Sequence, residues 1–578
     1  MMKTKLEVQI DKDNYKFLTS LDGYEIIRHP LLYKGTAFTR KERKMLGIQG
    51  MIPPGILTLN DQIEKVYQRY KQICFHYKSR EDKSLDIARF NFLRDLQDRN
   101  EILFYAFCNK YLEEILPIIY TPTVGDAVIR YSKDSTRFRG VFISPYTIDY
   151  IQEILGSFRF KHPSIAVVTD NQGILGIGDQ GIGGIDIPIG KLALYVLGAG
   201  VKPWETLPLT LDVGTDNEDE LHDPYYLGYK STRLTGKKYD DFIDRFVKEI
   251  TKKFPHILIQ WEDFSRQNAF SILEKYQYKT LSFNDDIQGT GAVALAGILN
   301  ALKIKNEELD QQRFVIYGAG AGGVGIARQI ASSLISEYKL SEKQANDLIV
   351  LIDSKGMLTC ERKMQDYKKT FSKDKHFYGS WNVENLDDIT LLDVVKNFQP
   401  TVLIGTSGQP GHFDELIIKE MAKNSSHPII FPMSNPNSKS EAHPEDIYKL
   451  TNGKAIVATG SPFKPFLFED KKICIAQGNN LYIFPGVGLG AILSKAKYIS
   501  DQVFTKAAYA LADLTPGSLL KKQLVYPDIK DIRNISAHIA FATSKQVSIE
   551  QKTKQLSLKE IKNKMWKPIY PKIEKIIL

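Results

Sequence analysis

The sequence predicts an α/β protein in which a helical region is followed by two units of strands interleaved with helices. Between Thr58 and Leu116, apolar residues recur at three- and four-residue spacing, which is typical of amphipathic helices. Beyond Arg139, short apolar runs such as SIAVVTD and HILIQWEDF alternate with glycine turns and helical stretches. A second unit of this kind opens at Arg313. These three observations indicate an α/β fold with more than one domain.

The length and composition agree with this prediction. A chain of 578 residues exceeds what one hydrophobic core normally supports, so roughly two to four domains are expected. The net charge of +9 is modest, and much of it lies in the lysine-rich stretch KQLSLKEIKNKMWKPIYPKIEKIIL. We interpret these lysines as a solvated surface or a subunit contact, and we expect no nucleic acid partner.

Neither the cysteines nor the termini indicate export or membrane insertion. The four cysteines lie far apart without a CxxC pair, which predicts reduced thiols rather than a zinc site or disulfides. The N-terminal segment has no apolar core of signal-peptide length, and no uncharged apolar window of about 18 residues occurs. We expect a cytoplasmic protein with no membrane partner.

The segment RFVIYGAGAGGVGIARQIASSL predicts a dinucleotide-binding loop. A short strand precedes Gly318-x-Gly320-x-x-Gly323, and a helix-forming run follows. Gly318 allows the tight turn, Gly320 lets a pyrophosphate approach the backbone, and Gly323 allows close packing of helix on strand. The next strand ends at Asp353, whose carboxylate can accept hydrogen bonds from ribose hydroxyls. Lys355 and Arg362 follow closely and offer charge to a 2′-phosphate, so NAD is favoured but NADP stays open.

A second glycine triplet, Gly176-x-Gly178-x-x-Gly181, is interpreted as a decoy. Its turn carries Asp179, which would repel a phosphate. Pro188 interrupts the run that would have to form the phosphate-binding helix.

Four acids at the ends of apolar runs suggest a divalent metal site. Glu262 and Asp263 close one predicted strand, and Asp285 and Asp286 follow about twenty residues later. Carboxylates suit Mg²⁺ or Mn²⁺ rather than zinc. Neighbouring strand residues point to opposite faces, so Glu262 and Asp263 can share an ion only if the chain kinks there. Exposed strand-end acids are the alternative.

Lys191 and Tyr120 each lie beside apolar sequence. Lys191 lies within DIPIGKLALYVLGAG, where burial would lower its pKa and make it usable as a base. Tyr120 follows ILPII and precedes a proline turn, where a phenol can face a cleft. A surface lysine and a core tyrosine are the alternatives from the residues alone.

Eleven sequence blocks resemble those of malic enzymes in order and spacing. They read YTPTVGDA, GILGIGDQGIGG, IPIGKL, DVGTDN, QWEDF, FNDDIQGTGAVALAG, YGAGAGG, GTSGQP, MSNP, ATGSPF and QGNNLYIFPGVGLG. The resemblance runs from about Thr36 to beyond Ser494. The resemblance implies oxidative decarboxylation of L-malate to pyruvate and CO₂ with reduction of NAD. It also implies a homodimer or homotetramer.

The resemblance assigns roles by position. Tyr120 resembles the family's acid and Lys191 its base. Asp285 matches an acid important to the site, and the ligands of Mg²⁺ or Mn²⁺ would be Glu262, Asp263 and Asp286. Asn435 of MSNP and Asn480 of QGNN resemble the asparagines that hold substrate and nicotinamide.

The resemblance also implies a domain plan. A helical N-terminal domain would comprise residues 1–138, and a central α/β domain with a small parallel sheet would comprise 139–285. A Rossmann-type NAD-binding domain would follow over 286–480. Residues 481–546 would return to the central domain and leave 547–578 as a tail.

One position departs from the family pattern. Many malic enzymes carry an arginine before ILG that holds a substrate carboxylate, whereas this chain has Gly173. Glycine cannot make that contact, so another residue must supply the charge. The glycine and the tryptophan of QWEDF resemble malolactic enzymes, which convert malate to lactate and CO₂. That reaction is the alternative.

Overall fold

The computed structural model describes residues 6–11, 14–76, 82–134, 137–157 and 162–576. The described part of residues 20–134 is mainly helical, as the apolar spacing predicts for Thr58–Leu116. Residues 6–11 and 14–19 form strands instead, which the prediction of a helical N-terminal domain did not include. Local sequence fixes several helix starts: Thr39 and Glu42 form a reciprocal capping box, and the Asn100 side chain accepts from the Leu103 N–H. The helices are Tyr24–Arg28, Arg40–Met45, Leu59–His76, Asp82–Arg99, Glu101–Lys110, Leu112–Ile119, Thr123–Ile129 and Tyr131–Asp134.

A small sheet joins the two ends of the described chain. Strands Leu6–Asp11 and Asn14–Thr19 pair antiparallel, and strand Lys572–Lys575 adds to the second of them in parallel. Helix Ile532–Gln551 runs through Val547, and helix Leu558–Lys564 follows it. The region after Val547, which was predicted only as a tail, therefore contains helical and strand structure and packs back onto the N-terminal region.

The central sheet has five parallel strands. Their spatial order is Val141–Ile143, Thr206–Leu211, Ile165–Thr169, Leu258–Glu262 and Ser282–Asn284. All but the first are completely buried, as expected for a sheet covered on both faces. Parallel strands end at one edge, so the residues that follow them gather there. The helices are Ile151–Ser157, Gly181–Ile185 (3₁₀), Asp186–Ala199, Glu218–His222, Gly236–Lys253 and Arg266–Tyr276.

The second large sheet has the Rossmann-type arrangement. Its order is Gly356–Met357, Ile349–Asp353, Phe314–Tyr317, Val402–Gly405, Ile429–Pro432, Ile456–Thr459 and Ala476–Gln477. Only the first strand is antiparallel to its neighbour. A separate hairpin comprises Phe466–Phe468 and Lys471–Ile473. The helices here are Thr290–Lys305, Ala321–Tyr338, Glu342–Asp347, Asp366–Lys369, Lys375–Tyr378, Leu391–Phe398, Glu415–Asn424 and Pro444–Leu450.

The C-terminal helices connect the two sheets. Helix Phe484–Leu493 packs on Asp186–Ala199 of the central region and on Ile532–Gln551. Helix Asp501–Asp513 packs instead on Thr290–Lys305 and Ala321–Tyr338 beside the Rossmann sheet. The short helix Gly517–Leu520 lies between these segments in sequence. This pattern fits a chain that returns from the Rossmann sheet to the central sheet.

Within the part of the chain that the structure describes, two helical stretches are long and apolar enough to cross a membrane, by length and composition only. They are Gly181–Ala199 and Asp285–Lys305, whose apolar windows are 100% and 83% buried inside the protein. Both are core helices, and both carry residues of the candidate site.

Candidate active site

The acids that the sequence singled out converge at the carboxyl edge of the central sheet. Strand Leu258–Glu262 ends at Glu262, and Asp263 adopts φ +57°. This left-handed turn is the kink that lets adjacent residues face one site. Oxygen atoms of Glu262, Asp263 and Asp286 lie within 4.8 Å of one another.

Asp286 reaches the cluster from the neighbouring strand. After Ser282–Asn284 the chain enters a π-helical turn, Asp285–Gly289, whose start is capped by the Asn284 side chain. π-Helical turns are rare and occur often at functional sites. The Asp263 N–H donates to Asp286 Oδ2 at 2.8 Å, which fixes the two stretches relative to each other.

Gly173 supports the kink rather than the substrate. Its N–H donates to the Asp263 carbonyl oxygen at 2.7 Å. A Cβ atom at this position would lie 2.2 Å from the Phe264 carbonyl oxygen, so no side chain fits this backbone arrangement. An arginine is therefore sterically excluded here, which gives the departure from the family pattern a structural reason.

Lys191 is buried among these acids. It lies on helix Asp186–Ala199 and is 2% exposed. Its Nζ is 2.5 Å from Asp285 Oδ2 and 2.9 Å from Glu262 Oε1, and it lies 4.6 Å from the Phe484 ring centroid. The position is not that of a surface lysine.

The predicted lowering of the Lys191 pKa is wrong for this arrangement of side chains. Burial by itself does lower the pKa, as expected. The attraction of Asp285 and Glu262 outweighs burial, however, and holds the pKa of Lys191 well above its ordinary value. The sequence argument considered the apolar neighbours on the same helix and missed the acids from other strands.

Tyr120 faces the same lysine. It follows helix Leu112–Ile119, and Lys191 Nζ is 5.5 Å from the centroid of its ring. Burial raises the pKa of the Tyr120 phenol, although the nearby ammonium group partly opposes this. A Cβ at Gly190 would lie 3.1 Å from the ring, so glycine allows the tyrosine to pack close to this helix.

The cluster has more negative than positive groups. Burial raises the pKa values of Glu262 and Asp263 well above normal and that of Asp286 to about 6, and repulsion between the carboxyl groups adds to each shift. One lysine faces four acids, and Asp285 Oδ1 is buried without a hydrogen-bond partner within the described residues. A set of hard oxygen donors with excess negative charge fits a divalent ion such as Mg²⁺ or Mn²⁺.

Asn480 belongs to this cluster, whereas Asn435 lies on a different loop. The Asn480 side-chain amide donates to Asp285 Oδ2 at 3.2 Å and to Thr290 Oγ1 at 3.0 Å. Asn435 accepts a hydrogen bond from the Ser461 hydroxyl. Asn480 therefore contacts the acid cluster directly, whereas Asn435 contacts Ser461 on a separate loop.

The glycine loop has the backbone geometry that the sequence predicts. Gly318 has φ +116°, and a Cβ there would lie 2.5 Å from the Thr406 carbonyl carbon. A Cβ at Gly323 would lie 1.8 Å from the Gly318 oxygen. Helix Ala321–Tyr338 begins directly after Gly320, so its N-terminus faces the loop as an anion site requires.

Arg266 was missed by the sequence reasoning. It is the first residue of helix Arg266–Tyr276, and its Nε lies 3.3 Å from where a Cβ on Gly320 would be. Its guanidinium group can reach a pyrophosphate on the loop. The sequence shows Arg266 as a cation shortly after the acids Glu262 and Asp263. No sequence pattern, however, predicts that it lies against the glycine loop more than fifty residues further along.

Asp353 is held by two cations. Its Oδ1 accepts from Arg362 Nη2 at 2.7 Å and from the Lys355 N–H at 2.9 Å, while its Oδ2 accepts from Lys368 Nζ at 3.0 Å. Burial opposes ionisation, but these hydrogen bonds, led by that of Arg362, hold the Asp353 pKa below its ordinary value. Lys355 contributes its backbone, and Lys368 is a cation that the sequence reasoning did not name.

The second glycine triplet forms no strand-loop-helix phosphate site. Ile174 and Gly178 form an isolated bridge, and Asp179 is paired with Arg233 through both carboxylate oxygens at 2.6 and 2.9 Å. A Cβ on Gly176 would lie 3.2 Å from the Asn435 carbonyl oxygen. This loop therefore packs on the loop that carries Asn435.

Two family models cover most of the chain. The N-terminal domain of malic enzymes matches residues 97–277, and the malic enzyme NAD-binding domain matches residues 287–548.

Curated relatives and solved structures agree with these models. The chain is 42% identical to an NAD-dependent malic enzyme of Acinetobacter baylyi over 95% of this chain and 96% of that protein. It is 44% identical to one of Pseudomonas aeruginosa over 92% of each. Its fold is similar to the malic enzyme of Entamoeba histolytica, with TM-score 0.53, 22% identity and 89% of each chain covered. It is also similar to that of Pyrococcus horikoshii, with TM-score 0.52, 24% identity and coverage of 78% and 88%.

Proposed function

The chain belongs to the malic enzyme family, and from this premise we propose that it converts L-malate to pyruvate and CO₂ with reduction of NAD. The relatives named NAD-dependent malic enzymes support the reaction and the cofactor. The observation that carries the proposal is the meeting of three carboxylates, those of buried Glu262 and Asp263 and of partly buried Asp286, with Lys191 and Tyr120 at one sheet edge.

We propose that Glu262, Asp263 and Asp286 hold a Mg²⁺ or Mn²⁺ ion. Such an ion supplies Lewis acidity toward the C2 oxygen of the substrate during loss of CO₂. The kink at Asp263 and the hydrogen bond from its N–H to Asp286 keep the three oxygens together before any ligand arrives. This preorganisation reduces the reorganisation that the reaction demands of the protein.

Lys191 is the proposed base. Its Nζ lies beside Glu262 and Asp285, within reach of the C2 hydroxyl of a malate bound at the acids. Taking that proton requires a neutral amine, so the attraction that raises the pKa of Lys191 must weaken when substrate and ion bind. Asp285, held by Asn480, keeps the amine aimed at the cluster.

Tyr120 is the proposed acid. Burial raises the pKa of its phenol, which keeps the proton on the hydroxyl until a strong base forms next to it. It can protonate C3 after CO₂ leaves. Lys191, near the tyrosine ring, can then return a proton to the phenolate oxygen.

We propose that the dinucleotide lies across Gly318, Gly320 and Gly323 with its adenine ribose near Asp353. A carboxylate at that position favours two free ribose hydroxyls over a 2′-phosphate, which supports NAD. Arg362 and Lys368 are engaged with the same carboxylate. Initial rates with NAD and NADP at matched concentrations test this preference, and faster turnover with NADP would contradict it.

The malolactic reaction is the second candidate, because Gly173 and Trp261 resemble that group of enzymes. Trp261 is fully buried and packs edge-on against Phe246 and Phe264, so its side chain has a core packing role. Gly173 has a backbone role next to Asp263. Neither contact specifies lactate as the product.

One assay separates the two reactions. The protein is incubated with L-malate, Mn²⁺ and NAD while NADH absorbance, pyruvate and lactate are measured. We expect NADH and pyruvate in equal amounts. If lactate forms and NADH does not accumulate, the malolactic reaction replaces the proposal. If neither pyruvate nor lactate forms, both reactions are refuted.

The domain division and the assembly of the chain into a homodimer or homotetramer stay predictions from the family resemblance. Sedimentation of the purified protein tests the assembly, and a monomer at micromolar concentration would contradict it.

A further inference from the structure

Glu441 is a fully buried carboxylate outside the cluster of acids described above. Its Oε1 accepts from the Ser407 N–H and hydroxyl, both at 2.8 Å, and from the Ser434 hydroxyl at 2.5 Å. Its Oε2 accepts from the Ser434 N–H at 3.4 Å. Two serines from two different loops are thereby bound to one side chain.

Ser407 belongs to the loop that follows strand Val402–Gly405. The preceding residue, Thr406, donates its hydroxyl to the Gly318 carbonyl oxygen at 2.9 Å, and its backbone packs directly against Gly318. A Cβ on Gly405 would lie 2.4 Å from the Glu441 carboxyl carbon, so glycine provides the space for the carboxylate. This side of Glu441 therefore supports the cofactor loop.

Ser434 belongs to the loop that follows strand Ile429–Pro432. The next residue is Asn435, the proposed contact to substrate and nicotinamide. The Ser434 hydroxyl also accepts from the Gly408 N–H at 2.9 Å, which connects the two loops a second time. This side of Glu441 supports the substrate loop.

Burial of this carboxylate is expensive unless it has a specific role. No lysine, arginine or histidine forms an ion pair with Glu441 among the residues that the structure describes. A buried charged group held only by neutral donors costs more than an apolar residue of the same size. Hydrogen bonds to a charged acceptor are, however, short and strong, and they fix geometry well.

We propose that Glu441 is a positioning residue that sets the distance between the cofactor and the substrate. Through its hydrogen bonds to Ser407 and Ser434, Glu441 holds two loops in a fixed relative position. The loop with Thr406 packs on the dinucleotide loop, and the loop with Ser434 continues into Asn435, the proposed substrate contact. Hydride transfer is sensitive to such a distance, since a displacement of about 1 Å can reduce a rate by about 10². The proposal deepens the proposed function and rests on it.

Three variants test the proposal. Glu441→Gln keeps the shape but places an amide that donates where Oε2 accepts from the Ser434 N–H. Glu441→Ala removes all four contacts. Glu415→Gln is the matched control, because Glu415 is exposed on the same domain and pairs only with Lys419 in a surface ion pair.

Two reactions of the same site are compared at saturating substrate. Malate oxidation needs hydride transfer between substrate and cofactor, whereas decarboxylation of added oxaloacetate with Mn²⁺ does not. We expect malate oxidation to fall about 10-fold in Glu441→Gln and about 10² in Glu441→Ala, with oxaloacetate decarboxylation within about twofold of the unmodified protein. The deuterium isotope effect with malate labelled at C2 should rise in both variants. An equal loss of both reactions, or no loss in either, overturns the proposal.

Hydrogen exchange tests the connection independently of activity. In Glu441→Gln, the backbone amides of residues 406–409 and of Ser434 and Asn435 should both exchange faster, while the same amides stay unchanged in the Glu415→Gln control. Faster exchange in one loop alone, or in neither, overturns the proposal even if the protein proves inactive with malate. Inactivity of the unmodified protein refutes the proposed function instead, so the two failures are distinguishable.

A substitution on one side provides a variant with a smaller structural change. Ser434→Ala loses the hydroxyl that both donates to Glu441 and accepts from Gly408. We expect the KM for malate to rise about 10-fold, with NAD affinity measured by fluorescence titration nearly unchanged. A larger loss of NAD affinity than of malate affinity would contradict the assignment of this side to the substrate.

Discussion

The acid cluster at the central sheet and Asp353 at the Rossmann sheet differ in how their negative charge is balanced. Among the described residues at the central sheet, Lys191 is the one cation that contacts the cluster of four acids, three of which are buried, and Asp263 has no ion pair. At the Rossmann sheet, the single acid Asp353 is paired with both Arg362 and Lys368. The pKa values follow this difference, since those of Glu262 and Asp263 are raised while that of Asp353 is lowered.

This difference indicates that the acid cluster needs an added cation, whereas the Asp353 group does not. Buried carboxylates with too little positive charge are unfavourable until a ligand neutralises them, so the central cluster gains from binding an ion. The Asp353 group is already neutralised inside the protein. Substitutions in the acid cluster should therefore change metal affinity and turnover. Substitutions at Asp353 should change the affinity for NAD relative to NADP.

The strongest test of the comparison removes one acid from the central cluster. Asp286→Asn should weaken Mn²⁺ binding and lower turnover by about 10³, because the metal contributes several kcal/mol to catalysis. Calorimetric titration with Mn²⁺ and steady-state rates measure the two effects. Asp353→Asn serves as the control, since it should bind Mn²⁺ normally. Equal Mn²⁺ affinity in the two variants would show that the acid cluster and the Asp353 group do not differ in their need for a cation.

Removal of the lysine should have the next largest effect. Lys191→Ala loses the proposed base and should lower turnover by about 10². NAD affinity, measured by fluorescence titration, should stay nearly the same because the lysine lies away from the glycine loop. Lys368→Ala is the control with the opposite expectation, namely weaker NAD binding and little loss of turnover at saturation. Near-normal turnover of Lys191→Ala would remove the lysine from its role.

A backbone test follows with a smaller expected effect. Gly173→Ala places a Cβ 2.2 Å from the Phe264 carbonyl oxygen, so the turn at Asp263 must shift. We expect Mn²⁺ affinity to fall about 30-fold, within the range of about 10- to 100-fold typical of residues that orient metal ligands. Gly125→Ala is the control, because a Cβ there meets nothing within 4 Å. Unchanged Mn²⁺ affinity in Gly173→Ala would show that the turn does not depend on close packing.

The smallest effect is expected for a substitution at Asp353, at the end of a strand of the Rossmann sheet. Asp353→Ser should raise the KM for NAD about 10-fold and leave kcat nearly constant, because a carboxylate contact to the ribose contributes about 1.5 kcal/mol. Arg362 and Lys368 would become free to contact a 2′-phosphate, so the ratio of kcat/KM for NADP to that for NAD should rise. A falling ratio would contradict the assignment of these cations.

Patterns within single stretches of sequence were enough to predict the glycine loop and to identify the candidate acids. The glycine loop at Gly318 was predictable because its strand, turn and helix are contiguous. The acids at Glu262 and Asp286 were recognisable as candidates because they follow buried strands. Their convergence needed the parallel order of the central sheet, which spacing alone does not determine.

What the sequence could not supply were contacts between distant segments. The pKa of Lys191 depends on Asp285, 94 residues further along, and the expectation from apolar neighbours had the wrong sign. Arg266 and Lys368 gained their positions only when separate elements packed together. The reason for Gly173 likewise appeared only once Phe264 was placed beside it.

The sheet that joins strand Lys572–Lys575 to strand Asn14–Thr19 has a consequence for biosynthesis. Lys575 contacts Asp22 across a separation of 553 residues, so this sheet is incomplete until nearly the whole described chain has been made. At roughly 5–20 residues per second, the first strands wait on the order of half a minute to two minutes for their partner. The edge of strand Asn14–Thr19 is unpaired during that time and can pair with another chain.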